Sequence, residues 1–573
     1  MTTDTAVPPA GTDPRHLARR QVALLIGPSE QFVVGMFAAW QAGLGILPLP
    51  PAFPDERLGV MLRDCAPRVL LTLPEHQERA AELIARYAPG TGLVVDDGTG
   101  PDIPATDVPV PVGDAAAFTV YTSGSTGRPK GVLVRHAHLS PLIRWFGETF
   151  AMGEGVRIAQ TLSLGFDFGL QELFTSLPYG ACLVIPEPED RRDACRYARF
   201  LRKQEVTALY TTPSFAQEVA ATGEPLPALR VVLLGGEVLT GSAVRALRRI
   251  VAPDCRLFNG YGPTEATVNC LVYEVPKDLQ DDALPAVLPV GRATSGSWVR
   301  IVDDAGRPLP VGAVGELLIG GNGVTGGYLG RPEQTVERFV EVPASTGPGG
   351  WGYRSGDLGY VLPGGDFVVV GRVDRQVKIR GFRVEPGEIE EVLAGCRGVT
   401  AAAVRPLGGP RRLVAFVTGD ATAEAARAYV AERLPAAMVP EQIVPLDRIP
   451  LNANGKADEA ALVELAERDH VPWVDPGAGS AELEAAVCEV WGRVLGIDPP
   501  PGHANVFDLG AHSLVALQAH HRLQTALGVD FPPHYLFEYP QPRALAERLH
   551  AERAAASAAP STDPQPVTAK DTR

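Results

Sequence analysis

Three patterns that assign many proteins to a class at once are missing from this sequence. Its seven cysteines are scattered, with no CxxC pair and no histidine at ligand spacing, which argues against a disulfide framework and a structural zinc site. No run approaches the roughly 18 apolar residues of a membrane span, and the N-terminus lacks the apolar segment of a secretory signal. Lysine and arginine total 52 against 67 acidic residues, a net charge of −15, so nucleic acid and anionic membranes are not expected partners. We therefore expect a cytoplasmic protein.

Apolar strand-like runs alternate with helical patterns over most of the chain, an order that predicts α/β layers around parallel strands. RVVLLGGEVL (230–239) followed by SAVRALRRIV (242–251) is one strand–turn–helix unit. Short alternating strands at 315–321 and 365–384 predict a more antiparallel region, and i, i+3, i+4 apolar spacing beyond residue 480 predicts a helical bundle. The expected segments are a mobile arm at 1–20, a large core at 21–373, a small α+β subdomain at 374–470, a linker at 471–479, a bundle at 480–552 and a disordered tail at 553–573.

The sharpest local pattern is the string YTSGSTGRPKGV at 121–132, directly after the apolar run AAFTV. Glycines let backbone N–H groups close around an anion, hydroxyl groups donate hydrogen bonds and a lysine adds charge, a combination that suits a polyphosphate. The residues concerned are Thr122, Ser123, Gly124, Ser125, Thr126, Gly127 and Lys130. The spacing is not that of a Walker A loop, because GxxxxGK[ST] is absent. From composition alone, a flexible polar loop is the alternative.

Together with six further strings in the same order, this string resembles the adenylate-forming superfamily of acyl- and aryl-CoA ligases, luciferases and nonribosomal peptide synthetase adenylation domains. The resemblance spans residues 20–465 and implies a large α/β adenylation core, built from two layered α/β subdomains and a distorted β-barrel, followed by a small α+β C-terminal subdomain. The six strings are FDFG (166–169), NGYGPTE (259–265), GELLIGGNGVTGGYLGRPEQTVERF (315–339), YRSGDLGY (353–360), GRVDRQVKIRGFRVEPGEIE (371–390) and LNANGKAD (451–458).

The resemblance also implies a role for each matched residue. Glu265 would help to hold Mg²⁺, and Lys456 would reach the substrate carboxylate and the α-phosphate of ATP. Together with Lys130 they form the expected catalytic set. Asp374 would be the hinge between the subdomains, and the 371–390 segment would face the site in the second half-reaction. The other implied nucleotide ligands are Tyr261 against adenine, Asp357 on the ribose hydroxyls, and Gly236, Asn259, Gly262, Thr264 and Arg372 around them.

These roles suit the reaction that the resemblance implies. A carboxylate is pushed onto the α-phosphorus of ATP, and the two reacting groups are both anions. A divalent cation and a mobile lysine would offset their repulsion in the transition state. Without that context, an aspartate such as Asp357 or a lysine such as Lys456 would be taken for a solvated surface group.

A second motif, Asp508-Leu-Gly-Ala-His-Ser513-Leu, lies in the predicted bundle. It resembles the attachment site of a peptidyl or acyl carrier protein, in which the serine hydroxyl takes 4′-phosphopantetheine. Position alone would allow Ser513 to be only a helix N-cap, but the surrounding string and the length of the bundle favour the carrier. The resemblance therefore implies an all-α four-helix carrier and a phosphopantetheinyl transferase as a partner. It also favours the peptide synthetase branch over CoA ligases, which use free CoA.

Asp167 in FDFG matches the acid that pairs with the substrate ammonium in relatives that activate α-amino acids, and a buried carboxylate needs such a cation. The other pocket residues implied by the motifs, with Lys456 at the carboxylate end, are Phe168, Gln171, Tyr210, Leu233, Gly235, Gly260, Val268 and Asn269. Gly235 and Gly260 are expected to leave depth in the pocket. The pair of Gln171 and Tyr210 favours a proline- or pipecolate-type substrate, and a neutral polar side chain is the alternative.

These observations predict a didomain that uses ATP and Mg²⁺ to activate an α-amino acid as its AMP ester and then loads it on its own carrier. Expected partners are trans-acting tailoring or condensation enzymes that take the aminoacyl thioester, and a small MbtH-like accessory protein. Two alternatives stay open: an acyl- or aryl-CoA ligase with a vestigial carrier, and a catalytically silent scaffold that only presents Ser513. The intact Lys130, Glu265, Asp357 and Lys456 argue against the scaffold.

Overall fold

We describe the fold from a computed structural model of the protein. The residues described are 17–98, 113–124, 128–191, 193–342, 350–379, 381–407, 412–450, 457–468, 480–495, 499–507, 509, 519–520, 522–524, 527, 531–532 and 534–558. The chain divides into two compact units, Met1–Glu459 and Ala460–Arg573. Five predicted site residues lie outside the described residues, and their roles stay predictions: Ser125, Thr126, Gly127, Lys456 and Ser513.

The first layer of the larger unit is a six-stranded sheet of short apolar strands. In chain order they are β1 (Gln21–Leu25), β2 (Gly45–Pro48), β3 (Val69–Thr72), β4 (Gly92–Val95), β5 (Ala116–Thr122) and β6 (Lys130–Arg135). Their spatial order is β4-β3-β1-β2-β5-β6, and all pair in parallel except β6, which is antiparallel to β5. All seven residues of β5 are buried, as in strands covered on both faces.

The segment just before β1 differs from the prediction. Leu17 and Ala18, which we placed in a mobile arm, are 6% and 1% exposed and pack in the same apolar cluster as Leu25 and Leu47. These two residues therefore belong to the core of the first layer rather than to an arm.

The second layer is a seven-stranded sheet. Its strands are β7 (Arg157–Ala159), β8 (Cys182–Val184), β9 (Ala208–Thr211), β10 (Val231–Gly235), β11 (Arg256–Tyr261), β12 (Leu271–Glu274) and β13 (Arg292–Ala293). The order is β13-β12-β11-β10-β9-β7-β8, and β12 alone runs antiparallel to its two neighbours, β11 and β13. The predicted strand–turn–helix at 230–251 is confirmed as β10 followed by a helix. Since β10 and β11 are parallel neighbours, their carboxyl ends meet at one edge, the usual place for a ligand in such sheets.

The antiparallel region is also confirmed. Five strands, β14 (Ser297–Val302), β15 (Gly315–Gly321), β16 (Phe339–Val342), β17 (Gly350–Val361) and β18 (Phe367–Arg372), form one antiparallel sheet where the resemblance implied a distorted barrel. Asp357 on β17 stands directly opposite Arg372 on β18. The sheet thus brings two predicted nucleotide ligands together.

A small α+β part follows within the same unit. Its strands are β19 (Val377–Ile379) and β20 (Phe382–Val384), which form a hairpin, and β21 (Val399–Leu407), β22 (Arg412–Gly419) and β23 (Gln442–Leu446), which form a sheet. Two helices, Pro386–Ala394 and Ala423–Ala431, share its apolar core with these strands. We call this part the small subdomain and the residues before it the large core.

Helices flank the sheets of the larger unit. They are α1 (Glu30–Gln41), α2 (Asp55–Cys65), α3 (Gln77–Tyr87), α4 (His136–Thr149), α5 (Asp167–Phe174), α6 (Ala194–Lys203), α7 (Pro213–Ala221), α8 (Gly241–Arg248), α9 (Pro332–Arg338), α10 (Pro386–Ala394) and α11 (Ala423–Ala431). Short 3₁₀ helices lie at Pro74–His76, Leu177–Tyr179, Thr264–Ala266 and Ala436–Met438. Several helices start where a side-chain oxygen accepts the N–H three residues on, the usual N-cap. These caps are Ser29, Asp193, Thr212, Thr240 and Thr422.

The second unit contains the helices predicted at 480–552, together with a helix from the stretch 374–470 that we placed in the small subdomain. Helix α12 (Glu459–Arg468) begins at the boundary, and α13 (Ser480–Leu495), α14 (Tyr535–Glu538) and α15 (Pro542–Ala558) follow. One apolar cluster joins α13, α14 and α15, with Trp491 2% exposed in it. Among the residues described, no helix combines the length and apolarity that crossing a bilayer requires.

Candidate functional site

Strands β5 and β6 place the two ends of the predicted phosphate loop side by side. Thr122 and Lys130 are paired directly across the antiparallel ladder. The Thr122 hydroxyl is buried and makes no hydrogen bond to any described residue, so its hydrogen-bonding capacity is unused. Gly124 is required sterically, because a Cβ there would lie 1.9 Å from the carbonyl oxygen of Arg128.

Glu265, the predicted magnesium ligand, is fully buried in the 3₁₀ turn that follows β11. Its Oε1 accepts a hydrogen bond from the Tyr328 hydroxyl at 2.7 Å, and its Oε2 pairs with Arg383 Nη1 at 2.7 Å. Lys130 Nζ lies over the Tyr328 ring, 4.7 Å from the ring centroid. We call these four residues the Glu265 cluster: one carboxylate, one phenol and two cations in a buried space.

The charges of the Glu265 cluster determine its protonation state. Burial pushes the pKa of Glu265 upward, but Arg383 and Lys130 outweigh burial and hold the pKa at about 2. Burial and Arg383 lower the pKa of Lys130, while Glu265 acts in the opposite direction. Glu265 is therefore ionised at neutral pH and offers the carboxylate oxygens that Mg²⁺ prefers.

The backbone after Glu265 has an unusual conformation. Thr267 and Val268 have φ angles of +59° and +68°, a left-handed region that β-branched residues avoid. Gly262 faces this turn, since a Cβ on it would lie 2.2 Å from the Val268 carbonyl oxygen. Strain of this kind persists only where the surroundings fix the chain, and it concentrates at binding sites.

Tyr261, Asp357 and Arg372 form a second buried group at the carboxyl end of β11. The Tyr261 hydroxyl donates to Asp357 Oδ2 at 2.5 Å, and Arg372 pairs with the other carboxylate oxygen. Arg372 Nε also donates to Asp374, the predicted hinge, at 2.7 Å. Both Asp357 oxygens are thus engaged inside the protein here. Asn259 Oδ1, by contrast, is buried with no partner among the described residues.

The hairpin of β19 and β20 packs against the large core beside these groups. A Cβ added to Gly236 would lie 3.2 Å from Gly381 Cα, at the hairpin turn. Both glycines have positive φ angles, +81° and +79°. A residue with a side chain is therefore disfavoured at both positions, by the backbone conformation and by the short distance between the two chain segments. The Ser123 hydroxyl donates to the Arg383 carbonyl oxygen at 2.8 Å. Residues of the 371–390 segment therefore contact the large core next to the predicted phosphate loop.

Five residues of this region had no individual role predicted from the sequence: Arg57, Tyr328, Lys378, Arg383 and Glu388. Lys378 Nζ lies 5.4 Å from the centroid of the Tyr261 ring. Glu388 Oε2 accepts the Gly124 N–H at 3.2 Å, and its Oε1 pairs with Arg57 Nη1 at 2.6 Å. Four of the five lie within the strings that carry the family resemblance, so polar residues in those strings were the available signal. Arg57 lies outside every string and had none.

Asp167 and the predicted pocket residues lie around the start of helix α5. Asp167 Oδ1 accepts the Phe168 N–H at 2.8 Å. Burial raises the pKa of Asp167, and hydrogen bonds from the Thr264 side chain and the Phe168 N–H oppose this rise. The charge of Glu265 also raises the pKa of Asp167, whereas the Arg383 guanidinium lowers it.

Two amide side chains meet in the deeper part of the pocket. Asn269 Nδ2 donates to Gln171 Oε1 at 2.7 Å, while Gln171 Nε2 is buried with no partner among the residues described. The Tyr210 hydroxyl lies 3.3 Å from Thr175 Oγ1. Tyr210, Leu233 and Val268 belong to one apolar cluster. The structure thus brings these predicted pocket residues together.

Gly235 and Gly260 were expected to leave depth in the pocket, and this prediction is wrong. A Cβ on Gly235 would lie 3.0 Å from the Phe168 ring, and one on Gly260 would lie 2.7 Å from Asn269 Oδ1. Neighbouring side chains therefore fill the space that the missing side chains leave.

In the second unit, the structure describes the chain just before the predicted attachment site. Asn505 Oδ1 accepts the Phe507 N–H at 3.0 Å, and the Phe507 ring stacks on Phe537 with centroids 5.4 Å apart. Phe537 and Leu509 are 49% and 40% exposed. Asp508 lies outside the described residues, as Ser513 does.

Comparison with known protein families agrees with this geometry. The profile of the AMP-binding enzymes matches residues 17–329, more than half of the chain. The chain belongs to this family. The profile of the AMP-binding enzyme C-terminal domain matches residues 388–456, and that of the phosphopantetheine attachment site matches residues 485–549. An adenylation domain is thus fused to a carrier domain in this AMP-binding enzyme.

The enzyme is similar to parts of large peptide synthetases. Malpinin synthetase of Mortierella alpina is 37% identical over 544 residues, 92% of this chain and 7% of that protein. Phosphinothricin tripeptide synthetase PhsC of Streptomyces viridochromogenes is 37% identical over 550 residues, 93% of this chain and 48% of that protein. The chain therefore spans less than half of either relative. A similar solved structure is that of holo-PA1221, an NRPS protein containing adenylation and PCP domains bound to a vinylsulfonamide inhibitor. The match has a TM-score of 0.70 and 25% sequence identity, and it covers 94% of this chain and 90% of the PA1221 chain.

AMP-binding enzymes use ATP and Mg²⁺, and the site of this enzyme fits a magnesium nucleotide. The Thr122 hydroxyl and Asn259 Oδ1 are buried without partners in the described part of the chain, and Glu265 is an ionised carboxylate. The described residues contain no group of three or more metal-ligating side chains. Mg²⁺ needs none, because one carboxylate, water and substrate phosphates commonly complete its shell.

Proposed function

We propose that this AMP-binding enzyme activates an α-amino acid as aminoacyl-AMP, releases pyrophosphate and transfers the aminoacyl group to phosphopantetheine on Ser513 of its own carrier. The observation that carries the proposal is the Glu265 cluster, which lies beside the unpartnered Thr122 hydroxyl in a chain that also contains a phosphopantetheine attachment domain. The similarity to peptide synthetases supports a place in nonribosomal peptide or related secondary-metabolite biosynthesis.

The side chains suit the first half-reaction. The substrate carboxylate forms a bond to the α-phosphorus of ATP, and the bond from that phosphorus to pyrophosphate breaks. Lys130 and Thr122 would bind phosphate oxygens, and Glu265 would hold the magnesium ion, which when bound offsets phosphate charge. Lys456, from the small subdomain, would contact the carboxylate and the α-phosphate.

Nucleotide binding would change the partners of Asp357. Its two oxygens now accept the Tyr261 hydroxyl and pair with Arg372. We propose that ribose hydroxyls replace the Tyr261 hydroxyl while Arg372 stays, and that the Tyr261 ring then stacks on adenine. Gly236, Gly262 and Thr264 would complete this pocket, as the family resemblance implies.

The pocket supports an uncharged α-amino acid as substrate. Asp167 is a carboxylate with neutral hydrogen-bond donors only, so it would bind the α-ammonium. Gln171 Nε2 is a buried donor without a described partner, and leaving it unpaired is costly. A side chain with a hydroxyl or amide group would satisfy it, whereas a proline ring would not. We therefore favour a small neutral polar side chain over a proline- or pipecolate-type one.

The second half-reaction would use the carrier. The phosphopantetheine thiol on Ser513 would bond to the carbonyl carbon of aminoacyl-AMP, and the bond from that carbon to AMP would break. Asp374 would act as the hinge that brings the 371–390 segment to the site. The carrier requires a phosphopantetheinyl transferase, and condensation or tailoring enzymes would take the thioester in trans. An MbtH-like partner and a cytoplasmic location remain expectations from the sequence.

ATP–pyrophosphate exchange with a panel of amino and aryl acids tests the first half-reaction, and mass spectrometry of the holo-protein tests the second. We expect exchange with a small neutral polar amino acid and an aminoacyl adduct on Ser513. Lys456→Ala should abolish exchange, whereas Ser513→Ala should keep exchange and lose the adduct. Product on free CoA would favour a CoA ligase instead, and no exchange with any acid would favour a silent carrier scaffold.

A further inference from the structure

The turn between β11 and β12 carries groups that the proposed function assigns to two different ligands. Glu265, the proposed magnesium ligand, lies near its start, and Asn269, which bonds Gln171 in the amino acid pocket, lies near its end. Between them, Val268 belongs to the apolar cluster of the same pocket. A short stretch of backbone therefore joins the magnesium site to the amino acid pocket, and a change in its conformation would move both.

The backbone of this turn is strained. Thr267 and Val268 have φ angles of +59° and +68°, and the N–H of Asn269 donates to the Thr267 carbonyl oxygen at 3.0 Å. A three-residue turn closed in this way, with a positive φ at its centre, is the rare and strained form of the γ-turn. Both residues are also β-branched, which adds to the steric cost of the left-handed region. Contacts from outside the turn are therefore needed to hold it.

Two such contacts come from the glycine-rich stretch after β15. The Thr267 hydroxyl donates to the Gly323 carbonyl oxygen at 2.6 Å. Two residues further on, the Thr325 N–H donates to the Glu265 carbonyl oxygen at 2.9 Å. A Cβ on Gly323 would lie 3.0 Å from the Ala266 carbonyl oxygen, so the close approach favours glycine. Thr267 is 2% exposed, and a hydrogen bond left unmade in such a buried place is costly.

We propose that Thr267 is a positioning residue whose bond to Gly323 holds the turn in the conformation that places Glu265 and Asn269 together for their ligands. The inference rests on the proposed function, which assigns the magnesium ion to one end of the turn and the amino acid side chain to the other. The Thr267 hydroxyl is committed to a carbonyl oxygen of the protein, so it acts through its neighbours. Affinity for magnesium nucleotide and selectivity among amino acids thus depend on one hydrogen bond between residues 56 positions apart.

Thr267→Val tests the proposal on the full chain, because it removes the hydroxyl and keeps the shape of the side chain. In a calorimetric titration with magnesium ATP, the dissociation constant should rise about tenfold, the size expected when one buried hydrogen bond is lost. In exchange assays with the amino acid panel, the ratio of kcat/KM values between polar and apolar side chains should also change about tenfold, since the bond from Asn269 to Gln171 is displaced. Thr267→Ser keeps the hydroxyl and should return both quantities toward the wild-type values.

Thr72→Val is the matched control. The Thr72 hydroxyl is also fully buried and donates to a backbone carbonyl oxygen, that of Leu25 at 2.9 Å, but both residues lie in the first layer, on β3 and β1. This variant should lose a similar amount of stability in circular dichroism melts and keep the wild-type magnesium ATP affinity and selectivity. If Thr267→Val is not folded, Gly323→Ala tests the proposal from the other side, because its Cβ presses on Ala266 and should produce the same two changes.

The outcomes separate this inference from the proposed function. Wild-type values for Thr267→Val, or a change in only one of the two quantities, would overturn the shared positioning. The same changes in Thr72→Val would show a general loss of stability and would overturn it as well. Weaker magnesium ATP binding by Thr267→Val, with no exchange by any form including the wild type, would refute the amino acid activation and the pocket half of the inference, and would support the anchoring of Glu265.

Discussion

Replacing Glu265 by glutamine should show how strongly the buried cluster depends on one negative charge. The pKa of Glu265 is about 2, against an ordinary value of 4.5, because Arg383 and Lys130 outweigh burial. A difference of about 2.5 corresponds to about 3 kcal/mol of stabilisation at neutral pH, since each pKa unit is worth about 1.4 kcal/mol. The Glu265→Gln variant should lose about 3 kcal/mol of unfolding free energy at pH 7, because the two buried cations keep their charge without an anion beside them.

The direction of the pKa shift determines how the stability contributed by Glu265 changes with pH. Since the pKa of Glu265 is lower in the folded protein, its stabilisation is present above pH 4.5 and disappears as the pH falls through 2. The wild type should therefore lose stability over this interval, while Glu265→Gln, which has no proton to gain there, should lose less. The difference between them should shrink from about 3 kcal/mol at pH 7 toward zero near pH 2.

Hydrogen exchange of strand β11, which leads directly to Glu265, is the suitable assay, because a chain with several units does not unfold in one transition. Glu274→Gln is the control. Glu274, on β12, pairs with Arg256 of β11 at 2.7 Å, and the two side chains are 43% and 32% exposed. The loss of this exposed pair should therefore cost at most about 1 kcal/mol. The same pH dependence in Glu265→Gln and wild type, or a loss no larger than that of Glu274→Gln, would refute the reasoning.

Three further changes have defined outcomes. Gly381→Ala places a Cβ 2.5 Å from Thr212 Cγ2 at a φ of +79°. It should slow aminoacyl transfer to the carrier about tenfold, measured by rapid quench, while ATP–pyrophosphate exchange persists. Asp357→Asn removes one of the two carboxylates that pair with Arg372 and the proposed acceptor of the ribose hydroxyls. It should weaken ATP binding more than about tenfold in a calorimetric titration. Gln171→Leu removes the acceptor of Asn269 Nδ2 and should shift exchange toward apolar amino acids, measured as the ratio of kcat/KM values; unchanged selectivity would place Gln171 outside the pocket.

Much of the fold could be predicted because its signals are local. The unit at 230–251 was recognisable since an apolar run is followed at once by a helical pattern, and it forms β10 and α8. Leu17 and Ala18 were missed because two apolar residues in a polar stretch have no periodicity. Their burial depends on the distant strands that cover them, which no local pattern reports.

The residues of the candidate site could likewise be predicted where the signal was local, but the contacts between them could not. Contiguous strings revealed Thr122, Lys130 and Glu265, but not which groups would meet. Glu265 and Arg383 are 118 residues apart, and Arg57 and Glu388 are 331 apart, so their pairing follows from how the small subdomain packs on the large core. The expected depth in the pocket failed for a related reason: a glycine shows that a side chain is missing, and tertiary packing decides which neighbour fills the space.

The two partners of Glu265 come from different parts of the chain, and this links the proposed half-reactions. Tyr328 belongs to the large core, whereas Arg383 belongs to the small subdomain and would leave Glu265 if the proposed hinge at Asp374 let that subdomain move. A buried carboxylate that loses its guanidinium partner needs another cation, because an unpaired buried charge is strongly unfavourable. The open arrangement should therefore bind a divalent cation better than the closed one, so movement of a single guanidinium group would make the site receptive to magnesium nucleotide in one state and unreceptive in the other.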